Sequence, residues 1–252
     1  MGRRGARVQD SGRWAFNRLA GAYAHRPPYP RALIERLSAL ASRGSVVDVG
    51  AGIGHVALPL AREGLQVTAV EPARAMLDVL LRSAGREGLR VRCVHAPAED
   101  TGLPAASFAL AVVADAAHWI DPELGGAELR RLLGPGGVVA VVDVELGGTA
   151  FMEDLLALVA EANPKRRRAV PATRQLLSIA TRGAHLEEEV LCDEQPLSGA
   201  ALEGVLGSLS HVEGAVGAAR FSRLVEDARA LASARGGAVW ARTLHVRWAK
   251  AK

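Results

Sequence analysis

The sequence predicts an open α/β fold, a mostly parallel sheet with helices on both faces. Three observations predict it. First, residues 45–54 read Ser-Val-Val-Asp-Val-Gly-Ala-Gly-Ile-Gly, a β-branched apolar run followed by three glycines at alternate positions, and a helical pattern opens at His55. Strand, glycine turn and helix N-terminus form the opening unit of a nucleotide-binding sheet, in which free backbone N–H groups point at a ligand. Second, Phe108–Ala114 is continuously apolar, as in a strand buried on both faces, and Leu65–Val70 reads as a second strand. Third, segments of helical period lie between these runs.

Each element follows in order. Residues 1 to about 12 are glycine, arginine and polar and are expected to be disordered. Trp14–Tyr23 is a short helix, with Trp14, Arg18 and Ala22 on one line and Phe16, Leu19 and Tyr23 on another. Pro27, Pro28 and Pro30 fix an extended segment, and Pro30 opens a helix to about Ser42 that buries Leu33, Ile34, Leu37 and Leu40. Strand 1 carries Val46, Val47 and Val49. A helix from about His55 to Glu63 is ended by Gly64. Strand 2, Leu65–Val70, ends on Glu71, and the next helix shows Ala75, Met76, Val79 and Leu80 on one face. Strand 3 is Leu89–His95, followed by the loop Ala96–Asp100. Strand 4, Phe108–Ala114, ends in Asp115-Ala116-Ala117-His118-Trp119-Ile120-Asp121-Pro122. A helix from Pro122 to Leu133 runs into Gly134-Pro135-Gly136-Gly137, where glycine supplies a left-handed C-cap and proline blocks continuation. Strand 5 is Val138–Val144. Phe151–Ala162 is helical and broken by Asn163-Pro164, and Pro171–Arg182 is a helix ended by Gly183. His185–Pro196 reads as strand 6 despite three consecutive glutamates. Helices follow, the strongest at Phe221–Ala234, and Trp240–Trp248 alternates as the last strand. No repeat or low-complexity linker divides the 252 residues, which suffice for one domain with a large core.

Spacing narrows the ligand. The dinucleotide fingerprint G-x-G-x-x-G, read from Gly50, requires glycine where His55 stands; the run here is D-x-G-x-G-x-G with Asp48 at the end of strand 1. An acid so close to the turn repels a pyrophosphate and suits a ligand with a cationic amino group. Glu71, about 20 residues downstream at the end of strand 2, is placed to accept hydrogen bonds from ribose hydroxyls. A ribose, an ammonium and no pyrophosphate describe S-adenosylmethionine (SAM).

At these residues the chain resembles the class I SAM-dependent methyltransferases. The resemblance implies a Rossmann-like sheet of seven strands, mostly parallel, with the last strand antiparallel and inserted beside strand 5. It implies SAM as cofactor, S-adenosylhomocysteine as product, and cofactor contacts at Asp48, Gly50, Ala51, Gly52, Gly54, Glu71, Pro72, Met76, Ala98, Glu99 and Ala114. Met76 is either an apolar contact to adenine or ribose, or ordinary core. The adenine pair Ala98-Glu99 sits beside Asp100, and its assignment slips by one if the loop is a residue longer than usual.

Phe16, Ala20, Tyr23, Arg26, Pro27, Tyr29 and Pro30 are similar to the N-terminus of a bacterial subgroup of small-molecule methyltransferases, where this segment is a lid. The resemblance puts Tyr23, Arg26 and Tyr29 at the substrate mouth, with Tyr23 and His25 beside the chemistry; the bland reading is a proline-stiffened linker. Ala116-Ala117-His118-Trp119-Ile120-Asp121 resembles the same subgroup, in which the His–aromatic segment walls the active site. His118 is the first candidate for general base, because imidazole titrates near neutral pH; it is otherwise a helix-capping or backbone-bonded histidine. Trp119 offers a π face to a sulfonium. The single domain then divides into an arm or lid (1–43), a SAM-binding core (44–150), a substrate-capping insertion (151–183) and C-terminal strands and helices (184–252).

Composition bounds the rest. The chain is 49% hydrophobic and 23% charged, with net charge +4 and scattered basic residues, a balance that neither requires nor excludes nucleic acid. The basic run Lys165–Arg168 is a solvated loop or an anion contact. Cys93 and Cys192 lack metal-ligand spacing and read as small buried hydrophobes of a reducing compartment, so no metal site is expected. The longest apolar run, 105–120, is interrupted by Ser107 and Asp115, so no membrane span is expected, and the start has no signal-peptide pattern. The expected setting is cytoplasmic, the partner a small-molecule substrate rather than nucleic acid, the state monomer or homodimer. RNA or protein methylation and non-catalytic SAM binding are the alternatives; a base-flipping Asp/Asn-Pro-Pro-Tyr/Trp motif is missing at the end of strand 4, where Asp115-Ala116-Ala117-His118 stands. A nicotinamide oxidoreductase is disfavoured by His55.

Overall fold

The computed structural model describes residues 10–164, 172–209 and 212–252. Seven strands, β1 (Val46–Val49), β2 (Val67–Val70), β3 (Val91–Val94), β4 (Phe108–Ala114), β5 (Leu133–Leu146), β6 (Glu187–Leu197) and β7 (Ala238–Lys250), form one sheet in the order β3-β2-β1-β4-β5-β7-β6. The pairs β1–β2, β2–β3, β1–β4 and β4–β5 are parallel. β7 runs antiparallel to β5: Ala251 N–H donates to Gly137 O and Gly147 N–H to Ala241 O, so numbers fall on one strand as they rise on the other. The seven-stranded Rossmann-like sheet with an inserted antiparallel last strand is therefore as expected.

Contacts within the chain gather into two compact units. The sheet unit comprises residues 29–144, the described part of 170–191, and 244–252. Alternate residues of its strands point to opposite faces, which splits its core in two. On one face Val46, Val67, Leu110 and Val112 meet Leu33 and Leu37 of α2 (Arg31–Ala41), Leu60 of α3 (Ala57–Arg62) and Leu80 of α4 (Arg74–Glu87). On the other, Val47, Val49, Val113 and Val139 meet Leu129 and Leu132 of α5 (Pro122–Leu132) and Leu176 and Leu177 of α7 (Thr173–Thr181).

The helical unit comprises the described residues of 1–28, 145–169 and 192–243. Here α1 (Asp10–Tyr23), α6 (Ala150–Ala162), α8 (Gly199–Ser208), α9 (Glu213–Val216) and α10 (Ala218–Ala234) accompany the first part of β7. Its core joins Phe151, Leu155 and Val159 of α6 to Leu202 and Leu206 of α8, Leu224 of α10 and Trp240. A buried ion pair fastens the proline segment: Arg242 Nε donates to Asp193 Oδ2 at 2.8 Å, while Arg242 Nη1 and Nη2 reach the carbonyls of Pro27 and Pro28. Gln195 Nε2 donates to Pro28 O at 2.9 Å.

Several boundaries differ from expectation. α3 begins at Ala57, because Gly54 N–H closes a turn onto Ala51 O and His55 and Val56 still belong to the turn region that follows. α5 ends without a left-handed glycine cap: Leu133 is extended (φ −75°, ψ 133°) and already belongs to β5. Leu133 pairs with Phe108 and Val138 with Leu110, so Gly134–Gly137 form a bulge in β5. α1 starts at Asp10, which makes residues 10–12 helical, and α7 starts at Thr173 rather than Pro171. Residues 1–9, the basic run 165–168 and Pro171 lie outside the described residues. Cys192 is exposed on β6 and Cys93 half-buried, so only the latter approaches the small-hydrophobe reading. Among the described residues no helix is long and apolar enough to cross a membrane.

Candidate functional site

The carboxyl ends of β1, β2, β3 and β4 are where an open α/β sheet receives ligands, and each carries chemistry here. The turn after β1 is tied to β2, with Gly50 N–H and Ala51 N–H both donating to Val70 O at 2.9 and 3.1 Å. Gly50 and Gly52 both adopt positive φ, +76° and +55°. They differ in surroundings. A Cβ on Gly50 would stand 2.7 Å from Cβ of Ala116, the segment after β4, whereas a Cβ on Gly52 would meet no atom within 4 Å.

Two buried carboxyl groups flank this turn. Glu71, after β2, accepts from Gly52 N–H at 2.9 Å through Oε2 and from Ala73 N–H at 2.8 Å through Oε1. Burial pushes its carboxyl above the usual range; the two amides and the charge on His95 pull the other way. Asp48, in β1, is 1% exposed. Burial pushes its carboxyl up to about 7, Glu71 adds to the rise, and the amide of Ala57 at the start of α3 opposes it. Among the described residues Asp48 Oδ2 is buried without a hydrogen-bond partner, which is costly for an acceptor unless a ligand donates to it.

The loops after β3 and β4 are joined to each other. Glu99 Oε1 accepts from Asp121 N–H at 3.0 Å. Asp121 Oδ1 in turn caps α5 through the amides of Glu123 and Leu124 at 2.9 and 3.0 Å, so the cap is an aspartate and not His118. A second knot anchors the far end of the β3 loop. Glu128 Oε1 accepts from Thr101 N–H and Oγ1 at 3.0 and 2.6 Å, and Arg131 grips both Glu128 oxygens at 2.7 Å. Burial disfavours the Glu128 charge, but Arg131 and Thr101 outweigh it and hold the carboxyl at about 2. At the end of β4, Asp115 sits in the left-handed region (φ +50°), a conformation that concentrates at functional sites when a non-glycine adopts it. His118 and Trp119 follow in a single 3₁₀ turn, half-buried, with ring centroids 5.1 Å apart.

The sheet unit thus brings Asp48, Gly50, Ala51, Gly52, Gly54, Glu71 and Pro72 to one turn, and Ala98, Glu99, Ala114, His118 and Trp119 to the adjoining strand ends. Tyr29 belongs to the same unit and meets His55 edge-on, ring centroids 6.4 Å apart. Met76, on α4, is 1% exposed. Tyr23, His25 and Arg26 lie in the helical unit. Arg26 stacks over the Tyr23 ring at 4.1 Å and donates from Nε to Ser208 Oγ at 2.8 Å and from Nη2 to Ser208 O at 3.1 Å. The exposed His25 ring lies against Gly204 of α8, where a Cβ would clash with it. Among the described residues no cluster of three or more His, Cys, Asp or Glu forms a metal-binding group.

Two contacts were not read from the sequence. His95, just past β3, is exposed and hydrogen-bonds Pro72 O through Nε2 at 2.9 Å; its place at a strand end was the available signal. The Glu128–Thr101 contact spans 27 residues and leaves no mark in local spacing.

The profile of a family described as a methyltransferase domain matches residues 47–141. An uncharacterized methyltransferase of Mycobacterium tuberculosis (strain ATCC 25618 / H37Rv) is 35% identical over 159 residues, which span 61% of this chain and 63% of that protein, somewhat less than two thirds of its length. A 23S rRNA (uracil(1939)-C(5))-methyltransferase of Halomonas elongata is 32% identical over 64% of this chain and 32% of its own length. A solved structure from Anaeromyxobacter dehalogenans, assigned there to the type II methyltransferases, is 30% identical, covers 89% of this chain and 97% of its own, and superimposes with a TM-score of 0.62.

Proposed function

The chain belongs to the class I SAM-dependent methyltransferases, and from that premise we propose that it moves the sulfonium methyl of SAM to oxygen, nitrogen or an activated carbon of a small molecule. The observation that carries the proposal is the pair of buried carboxyl groups, Asp48 and Glu71, on either side of the Gly50–Gly54 turn. They fit the donor. Glu71 is already oriented by two amides and retains lone pairs for a ribose diol. The unpartnered Asp48 Oδ2 suits a cationic ammonium, delivered directly or through a water. Gly52, open and without a Cβ, permits close backbone approach.

SAM, when bound, supplies a methyl group that is electrophilic without further activation. The chain's own task is then to hold an acceptor in line and exclude water. Ala98 and Glu99 line the adenine end, and Ala114 the floor at the end of β4. His118 takes the proton of an acceptor O–H or N–H as general base, or orients the acceptor where no proton must leave. Trp119 presents a π face to the sulfonium, and Tyr29 walls the same unit. Roles for Tyr23, His25 and Arg26 rest on the resemblance of the arm alone.

The test is a calorimetric titration with SAM and, in parallel, NADH. Micromolar SAM affinity, lost in Asp48→Asn and Glu71→Gln, with no NADH binding, is expected. Absence of SAM binding, or binding indifferent to both carboxylates, overturns the reading. Among variants that still bind SAM, His118→Asn should lose turnover of an O–H or N–H acceptor.

A further inference from the structure

We infer that His95 is a positioning residue for the nucleoside half of the donor: its ring holds the Glu71–Ala73 turn in the conformation that presents the Glu71 carboxylate. The inference rests on the methyltransferase reading and adds a residue to it. Pro72 has no N–H, so it cannot take part in the ladder with β3 as a donor, and its carbonyl is the free handle of the turn. That carbonyl meets His95 Nε2 at 2.9 Å. A carbonyl only accepts, so Nε2 carries the proton, which fixes the tautomer of the neutral ring. The turn is thereby held at three points: Glu71 N–H to Val94 O at 3.1 Å, Glu71 Oε1 to Ala73 N–H at 2.8 Å, and Pro72 O to His95.

The first two fix the backbone entering the turn and the carboxylate within it. The peptide plane between Pro72 and Ala73 is held from both sides: its amide donates to Glu71 Oε1 and its carbonyl meets His95 Nε2, so the ring backs the amide that orients the carboxylate. The ring is exposed, so little packing is lost with it. The Glu71 charge in turn raises the carboxyl of Asp48 across the turn.

The experiment compares SAM with 5′-methylthioadenosine, which keeps the nucleoside and lacks the amino-acid half, by calorimetry at one pH. His95→Ala is expected to weaken both ligands by the same factor, about three- to tenfold for one hydrogen bond, with an unchanged unfolding midpoint. His95→Gln, whose amide nitrogen reaches the same carbonyl, is expected to restore most of the affinity. Asp48→Asn should weaken SAM and leave 5′-methylthioadenosine nearly untouched. Full affinity in His95→Ala, or an equal loss in His95→Ala and His95→Gln, overturns the inference while the methyltransferase reading stands. A wild-type protein that binds neither ligand overturns both.

Discussion

Two neighbouring glycines with the same backbone handedness should fail in different ways when replaced by alanine. Gly50 (φ +76°) and Gly52 (φ +55°) each lie where a Cβ-bearing residue loses about 1–2 kcal/mol. For Gly52→Ala the cost stops there, since the new methyl meets no atom within 4 Å. For Gly50→Ala the methyl lies 2.7 Å from Ala116 Cβ, which is attached directly to the backbone and cannot rotate away. Overpacking of that kind adds about 1–3 kcal/mol. Gly50→Ala should therefore melt lower than Gly52→Ala by about 2 kcal/mol, roughly 6 °C for a chain of this size. Ligand affinity should rank the other way relative to stability: Gly52→Ala, the more stable of the two variants, should bind SAM at least about tenfold more weakly, because its methyl fills the surface the donor approaches. Thermal unfolding and SAM titration of the two variants provide the check. Equal destabilisation of both, or wild-type SAM affinity in Gly52→Ala, would refute the assignment of one glycine to packing and the other to the ligand.

Charge makes three further predictions. The Asp48 carboxyl is raised on folding from 3.8 to about 7, so the folded state holds a proton the unfolded chain releases; stability falls as pH rises through this interval. Asp48→Asn should thus stabilise the ligand-free protein by about 4 kcal/mol at pH 8, with no gain below pH 4, in urea unfolding across pH. Glu128 behaves oppositely, its carboxyl lowered from 4.5 to about 2. Its contribution is complete above the unfolded value and disappears as pH falls through the folded one, so Glu128→Gln should cost about 2 kcal/mol at pH 7 and converge on wild type in acid. Arg242→Met leaves Asp193 charged and buried and should cost about 3–5 kcal/mol, with partial recovery in the double variant Arg242→Met, Asp193→Leu.

Legibility followed the range of the interaction. β4 was legible because burial on both faces writes itself as an unbroken apolar run, and Phe108–Ala114 matched residue for residue; β1 was legible from its three valines ahead of the glycine turn. The glycine turn and Glu71 were legible because a strand-end rule ties residue type to position. The start of α3 and the junction of α5 with β5 were not, because a turn closed by Gly54 and a bulge at Gly134–Gly137 depend on which strand lies opposite. The clamp of Arg242 on Pro27 and Pro28 joins residues 215 and 214 apart, and no local pattern announces it. Arg26 matched a motif yet is engaged with Ser208, 182 residues away, which a motif has no means of stating.

The place of β7 governs how the molecule is built. β5 and β6 are made earlier but have no edge in common; the strand that separates them, Ala238–Lys250, is synthesised last. While the chain grows, the outer edge of β5 stands bare, a template for pairing with any other strand. Leu244, Val246 and Trp248 also leave their places in the core unfilled until then. A nascent chain can close β3-β2-β1-β4-β5 as it emerges, but β6 and β7 assemble in one later step, around a keystone that is the last of the seven strands in chain order. Loss of those thirteen residues would therefore remove far more than a terminal strand, since β6 would have nothing to pair with.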